Sequence, residues 1–223
     1  MFDLIITFVP LGLAAIAPVM IMAVILMLSA KGGLTKSLAF ILGRILCYII
    51  WGMLFLALAG KLAGSGSEGP STASLAIKAV LGLLLLVMAV KSFLGEDDPD
   101  APPPKWMTAL DNAGAGALFG IGFLLSVIQI RFVLLMLAGA GSIADAQLST
   151  GQIVVALLCL VFLMIWPQVL PIILYIVMGD RAQAMLEKLN AWLARNQRMV
   201  NVVVLALFGI MLLAKSLPGL IGP

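Results

Sequence analysis

Residues 122–142 read GFLLSVIQIRFVLLMLAGAGS, an apolar run in which Arg131 is the only charged side chain. At 1.5 Å per residue, a helix of this length reaches across the hydrocarbon core of a bilayer, which is about 30 Å thick. An ionisable residue in such a helix costs about 2.5 to 3.5 kcal/mol on insertion scales, so it usually faces the protein interior or a water-filled cavity. The segment therefore predicts a membrane-spanning helix with a polar site at Arg131.

The rest of the chain has the same apolar character. Of its 223 residues, 63% are hydrophobic and 10% are charged, against roughly 25% charged residues in soluble domains. The fold class that this composition predicts is an all-α integral membrane protein with six transmembrane helices. The predicted spans are residues 4–30, 37–60, 73–94 and 113–140, a fifth within the uncharged run 146–179, and residues 199–217.

An internal similarity relates the two halves of the chain. Residues 12–33, GLAAIAPVMIMAVILMLSAKGG, are similar to residues 122–142 at an offset of about half the chain. Three spans per half would insert the second half upside down, as in transporters built from inverted repeats. We therefore predict a first three-helix repeat at 1–94, a cytoplasmic linker at 95–112 and a second three-helix repeat at 113–223. Binding sites in such folds lie at the repeat interface, where helices are broken.

The polar segments predict the orientation. Residues 180–198 place apolar side chains on one helical face and charged side chains elsewhere, which predicts an interfacial amphipathic helix before the last span. Lys and Arg concentrate in the loops after spans one, three and five. The positive-inside rule places those loops in the cytoplasm, so both termini are predicted outside the cytoplasmic (inner) membrane.

Polar residues and prolines inside the spans are the candidate substrate-binding residues. Arg131 and Gln129 lie deep in span four, and Pro10 and Pro18 are expected to interrupt span one. Arg44 lies about seven residues into span two, close enough to the cytoplasmic face for its head to snorkel to the phosphate level. Span five adds the last three candidates. Pro167 and Pro171 free backbone carbonyls, and Gln168 supplies an amide.

Several chemistries are missing from the sequence. There is no histidine, and no Asp or Glu lies deep in any span, so an ordinary proton relay is not expected. No metal-ligand cluster, Ser/His/Asp set or nucleotide-binding loop can be assembled. We therefore predict no enzyme activity, no metal and no cofactor. The basic residues are spread one or two per loop without aromatic interleaving, so nucleic acid is not a predicted partner.

The two cysteines leave an alternative open. Cys47 and Cys159 are separated by about the repeat offset, so pseudo-symmetry could bring them together as the redox pair of an electron-transfer protein. Neither lies in a CxxC motif that would lower the thiol pKa, and only Cys47 has a basic residue nearby in sequence. A non-transporting scaffold or assembly partner is a further alternative.

Four segments carry a family resemblance: IAPVMIMAVILMLS (16–29), PPPKWMTALD (102–111), LSTGQIVVAL (148–157) and LEKLNAWLARNQRMVNVVVLALFGIMLLAKSL (186–217). With these segments the chain resembles the GAP family of peptidoglycolipid- or sulfolipid-addressing proteins, within the lysine exporter (LysE) superfamily. The resemblance implies a six-helix exporter of two inverted halves, associated with glycolipid export to the cell envelope. Where the family tends to have Asn-Pro-Lys in span four, this chain has Gln129-Ile130-Arg131. The amide and the cation persist, and the proline does not.

The predicted function is translocation of a lipid or glycolipid, with Arg131 and Arg44 holding an anionic or polyhydroxylated head group. The scarcity of polar residues inside the spans favours this function over the alternative, an exporter of small polar solutes such as amino acids. Membrane lipid is the predicted partner. Small-residue faces in span four can support a homodimer as well as internal packing, and envelope-lipid export proteins are further candidate partners.

A terminal tag tests the predicted orientation. A tag at either terminus is expected to be cut by protease added outside spheroplasts, because both termini are predicted to face outward. A tag inserted at residues 95–112 is the control and should resist the protease until the membrane is opened. Terminal tags that resist the protease while the linker tag is cut would reverse the orientation.

Overall fold

A computed structural model describes residues 2–62, 72–95, 110, 113–146 and 148–221. These residues form eight helices and no strand, which confirms the all-helical fold class. The helices are α1 (Phe2–Ala14), α2 (Pro18–Ser29), α3 (Gly33–Leu62), α4 (Thr72–Leu94), α5 (Ala115–Ile128), α6 (Ile130–Asp145), α7 (Thr150–Met178) and α8 (Asp180–Ile221).

The described helices identify a membrane protein with three to five candidate spans. Helices α3, α7 and α8 each contain a stretch long and apolar enough to cross a membrane. The pairs α1–α2 and α5–α6 raise the number to five if each bent pair is one span. Within α4, Ala79–Leu94 is a shorter apolar helix, so the third predicted span, residues 73–94, stays a prediction.

Outward-facing side chains agree with a lipid environment. Several large apolar residues on the outer faces of α3, α4 and α7 are more than half exposed, among them Leu42, Val80 and Phe162. Soluble monomers rarely expose contiguous apolar patches of more than a few hundred Å². In a bilayer these side chains contact acyl chains, so their exposure carries no cost there.

Both bent pairs break at a defined point. Helix α1 ends at Ala14 and α2 begins at Pro18, with an angle of 66° between them. Proline suits the first turn of a helix because its missing N–H would have no intrahelical acceptor there. Helices α5 and α6 meet at 73° across Gln129, whose φ of −76° and ψ of 86° are not helical. The predicted break at Pro18 is confirmed, whereas Pro10 lies inside α1 and does not end it.

One predicted boundary is absent from the structure. Helix α8 continues through residue 198, so the amphipathic segment 180–198 and the predicted sixth span form one helix of 42 residues. Part of the apolar face of that segment packs inside the protein, since Ala182, Leu186 and Leu193 are buried. Helix α7 also continues through both of its prolines.

Glycines allow α3 and α5 to pack closely. A Cβ added to Gly43 would meet the carbonyl oxygen of Phe119, and one added to Gly122 would meet the carbonyl oxygen of Phe40. Small residues let helix backbones approach in a membrane, where van der Waals packing drives association. The reciprocal glycine contact therefore fixes how α5 sits on α3.

A similar contact joins α4 to α8. A Cβ on Gly82 would lie 2.9 Å from the carbonyl oxygen of Gly209, and the reverse distance is also 2.9 Å. Earlier on α8, Arg198 donates hydrogen bonds to the carbonyl oxygens of Ser92, at 3.1 Å, and Phe93. A cation at these carbonyls also interacts favourably with the negative end of the α4 dipole. Two separate contacts thus fix α4 against α8.

Replacing Gly122 by Ala tests the α3–α5 contact. The added methyl group would collide with the backbone of α3, and overpacking typically costs about 1–3 kcal/mol, so the melting temperature in detergent is expected to fall. Gly120→Ala is the matched control on the same helix, where an added Cβ has nothing within 4 Å. That variant should be neutral or slightly stabilising, because Ala is the better helix former by about 1 kcal/mol. Equal melting temperatures for both variants would contradict the contact.

Candidate functional site

The two helix breaks meet at a cavity of about 360 Å³. One residue of α4 and one of α8 complete its wall. The lining residues are Ala17, Pro18, Val19, Met20, Met88, Gln129, Ile130, Arg131, Phe132 and Asn201. Three of the predicted site residues, Pro18, Gln129 and Arg131, are therefore brought together at one place.

Arg131 is bound to the broken end of α1. Its Nη2 donates hydrogen bonds to the carbonyl oxygens of Ala14, at 2.6 Å, and Ile16. Carbonyls at the end of a helix have no intrahelical donor, and the negative end of the helix dipole favours a cation. Its Nη1 lies 3.4 Å from Oδ1 of Asn201 on α8. The guanidinium of Arg131, on α6, thus contacts the end of α1, the segment between α1 and α2, and α8.

Two polar atoms at the cavity have unused hydrogen-bonding capacity. In the described part of the chain, Nε of Arg131 and Oε1 of Gln129 are buried without a partner. The other amide atom of Gln129, Nε2, lies 3.6 Å from Sδ of Met20, which is a weak acceptor. A buried polar group without a partner costs about 1–3 kcal/mol. The cavity therefore suits a ligand that brings an acceptor for Arg131 and a donor for Gln129.

Arg44 lies inside the bundle, next to the cavity wall. Its side chain is fully buried, so the expectation that it snorkels to the membrane surface is wrong. Its Nη2 donates to the hydroxyl oxygen of Tyr48 at 2.5 Å, and its Nη1 lies 3.2 Å from Sδ of Met20. Met20 also lines the cavity. A single thioether therefore links the buried guanidinium to the cavity wall.

Both guanidinium groups lie against one aromatic ring. The Cζ atoms of Arg44 and Arg131 are 5.0 and 5.7 Å from the centroid of Phe132, so they are within about 11 Å of each other. With an effective dielectric constant of about 20, two unit charges at that distance repel by roughly 1.5 kcal/mol. Cation–π attraction offsets part of this cost. The predicted spans contain no Asp or Glu that would neutralise either charge.

A comparison with known protein families gives a match that includes the whole site. The family described as Sap, sulfolipid-1-addressing protein, matches residues 8–218. The chain belongs to this family. The match includes both helix breaks and every residue that lines the cavity, and it confirms the resemblance to sulfolipid-addressing proteins. None of the curated proteins and none of the solved structures compared with the chain matches it.

The second break forms although residues 113–140 contain no proline. Gln129 takes the non-helical conformation itself, and its N–H still donates to the carbonyl oxygen of Leu125 at 3.1 Å. The bend of 73° is as large as the one at Pro18. The amide of Gln129 and the cation of Arg131 therefore lie at the break, with Ile130 between them.

Other sequence candidates lie outside the lining of this cavity. Pro167, Gln168 and Pro171 are buried in α7, and neither amide atom of Gln168 has a partner among the described residues. Each proline leaves a carbonyl of α7 without its helical donor. Cys47 and Cys159 are free thiols, the first buried and the second half-buried. The structure brings none of these five residues to the wall around Arg131.

Asn201 belongs to the site and was not predicted from the sequence. A signal was present, because Asn201 is the only amide in the predicted span 199–217. Met20, Met88 and Phe132 gave no comparable signal. An apolar residue in an apolar span has the same pattern whether it lines a cavity or fills a core.

Arg131→Lys tests whether the guanidinium stabilises the broken end of α1. Lysine keeps the charge and loses the planar set of donors that reaches both carbonyls and Asn201. Hydrogen bonds that involve a charged group contribute about 1.5–3 kcal/mol, so a clear fall in melting temperature is expected in detergent. Arg195→Lys, an exposed position on α8, is the control and should not change it. An unchanged melting temperature for Arg131→Lys would show that these bonds add no stability.

Proposed function

We propose that this protein translocates a lipid or glycolipid with an anionic head group across the cytoplasmic membrane. The observation that carries the proposal is the cavity between the helix breaks, with Arg131 in its wall and Arg44 adjacent. Two cations within spans that lack carboxylates need a counter-charge, which a bound anion supplies. Membership of a family described as sulfolipid-1-addressing supports a lipid substrate.

The rim of the cavity supports entry from the side. Ile130 lines the cavity and is 62% exposed, and Ile128, on the other side of the break, is 74% exposed. An apolar rim that faces outward lets a head group enter from the bilayer while its acyl chains stay among lipids. A site for a polar solute would instead need walls that exclude lipid.

The proposed architecture is six spans in two inverted halves. One half contains α1–α2, α3 and α4, and the other contains α5–α6, α7 and α8. The arrangement is supported by the break in the first element of each half. The packing pattern also supports it, because exchanging the two halves reproduces the same contacts. The second helical element of each half contacts the first element of the other, as α3 contacts α5 and α7 contacts α1, and the two last helices, α4 and α8, contact each other. Membership of the lysine exporter superfamily is proposed on the same grounds.

Export of a small polar solute is the second candidate function. A volume of about 360 Å³ with three polar side chains, Gln129, Arg131 and Asn201, also suits a ligand the size of an amino acid. The two candidates differ in what the site must enclose. A lipid needs room only for its head group, whereas a solute must fit entirely.

Lipid co-purification distinguishes the two candidates. Protein extracted gently from its own membrane is expected to retain a specific anionic lipid or glycolipid, identified by mass spectrometry. Arg131→Ala removes the cation from the cavity wall, so retention should fall at least tenfold relative to bulk membrane lipid. Arg195→Ala, an exposed charge on α8, is the matched control and should retain the lipid.

The opposite result is equally clear. If wild-type protein carries only bulk membrane lipid, in proportions that Arg131→Ala does not change, lipid translocation through this cavity is excluded. Binding of an amino acid by the same wild-type protein would then favour export of small solutes.

A further inference from the structure

We propose that Arg44 forms a second, inner binding site for an oxyanion, separated from the outer cavity by the side chain of Met20. This inference rests on the proposed function, because it concerns the path of the same anionic head group. The outer site is the cavity wall at Arg131, and the inner site is the guanidinium of Arg44 within the bundle.

The hydrogen-bonding partners of Arg44 leave part of its donor capacity unused. A guanidinium has five N–H donors, and its usual buried partner is a carboxylate. Here Nη2 bonds to the hydroxyl oxygen of Tyr48, Nη1 contacts a thioether, and Nε is buried without a partner among the described residues. The rings of Phe40, Tyr48 and Phe132 lie 5.8, 5.4 and 5.0 Å from its Cζ. Aromatic faces cannot accept bonds from the in-plane donors of a guanidinium as an oxyanion can.

Met20 occupies the place that an oxyanion would take. Its Sδ lies 3.2 Å from Nη1 of Arg44 and 3.6 Å from Nε2 of Gln129, so it is a shared acceptor between the inner guanidinium and the outer cavity. Sulfur in a thioether is a weak acceptor. A sulfate or phosphate oxygen forms shorter and stronger charge-assisted bonds with the same donors. An oxyanion is therefore a stronger hydrogen-bonding partner than the thioether for the donors at this point.

The flexibility of Met20 makes that exchange possible without moving a helix. Methionine is unbranched and has three rotatable bonds, so its Sδ can leave Nη1 of Arg44 by rotation of the side chain alone. Met20 lies two residues after Pro18, in the first turn of α2, where the helix begins at the cavity. Rotation of this one side chain connects the cavity to Arg44.

Phe132 sets the distance between the two sites. Its ring is shared by both guanidinium groups, which keeps them within about 11 Å of each other. An anion that leaves Arg131 is attracted by Arg44 over that distance, and it reduces the repulsion between the two cations in either site. The two sites therefore form successive positions for one head group. The negative charge of the head group stays close to a guanidinium as it passes from one site to the other.

Sulfatide, a galactosylceramide that carries a sulfate, is the probe for the test, and uncharged galactosylceramide is its matched control lipid. Binding is measured with the full chain in phosphatidylcholine nanodiscs. Movement between leaflets is measured in phosphatidylcholine vesicles that contain the same labelled lipids. Wild-type protein should bind and move sulfatide in preference to galactosylceramide.

Arg44→Met separates binding from movement. It removes the inner guanidinium and keeps an unbranched side chain of similar length, so movement of sulfatide is expected to slow at least tenfold. Affinity should fall by no more than about threefold, because Arg131 still binds the head group at the outer cavity. Arg131→Met should instead lose affinity and movement together.

Met20→Leu tests the same site without removing a charge. It frees Nη1 of Arg44 and Nε2 of Gln129 from the thioether, so sulfatide affinity should rise about three- to tenfold. Most of that rise should disappear in the double variant with Arg44→Met, which is the signature of coupled residues. Met22→Leu, on the same helix and outside the cavity lining, is the control and should not change affinity.

The possible failures have different meanings. If wild-type protein neither binds nor moves sulfatide in preference to galactosylceramide, the anionic-lipid function fails and the inner site fails with it. If wild type does both but Met20→Leu behaves like Met22→Leu, the inner site is overturned and the proposed function stands. The same holds if a folded Arg44→Met variant moves sulfatide at the wild-type rate. Should Arg44→Met fail to fold, the comparison of Met20→Leu with Met22→Leu still decides.

Discussion

A helix that stops inside a membrane must find donors for its last carbonyl groups, because lipid offers none. In this protein the donors come from Arg131, which bonds the carbonyl oxygens of Ala14 and Ile16 at the end of α1. These hydrogen bonds have two effects. They satisfy backbone carbonyls at the end of α1, and they hold a cation at the break between α5 and α6. The cavity exists where it does because these two breaks are joined through one side chain.

The same constraint explains why charge accumulates without a counter-ion. Each arginine is stabilised locally, Arg131 by backbone carbonyls and Arg44 by Tyr48, Met20 and aromatic rings. Neither set of contacts cancels a full positive charge. Local contacts thus coexist with an uncompensated positive charge, which is the electrostatic basis of the proposed anion binding. A carboxylate beside either arginine would neutralise that charge and weaken the attraction for an anion.

Sequence patterns predicted the apolar segments, the break at Pro18 and a polar position inside the protein at Arg131, because insertion cost and proline geometry are local properties. They failed where the outcome depends on which helices touch. Arg44 was expected at the membrane surface from its depth in span two, but the ring of Phe132, from the other half of the chain, covers it. Asn201 is likewise a site residue only because α8 passes the cavity. The boundary expected at residue 198 was wrong because an amphipathic pattern does not by itself end a helix.

The unbroken length of α8 connects the cavity wall to a distant part of the protein. A helix of 42 residues is about 63 Å long at 1.5 Å per residue, well beyond the roughly 40–45 Å of a whole bilayer. Asn201 lies about 30 Å from the start of α8 and lines the cavity. The same continuous helix carries the exposed side chains of Arg181 and Lys188 near its start. No loop therefore separates that exposed segment from the cavity wall, and the two belong to one helix.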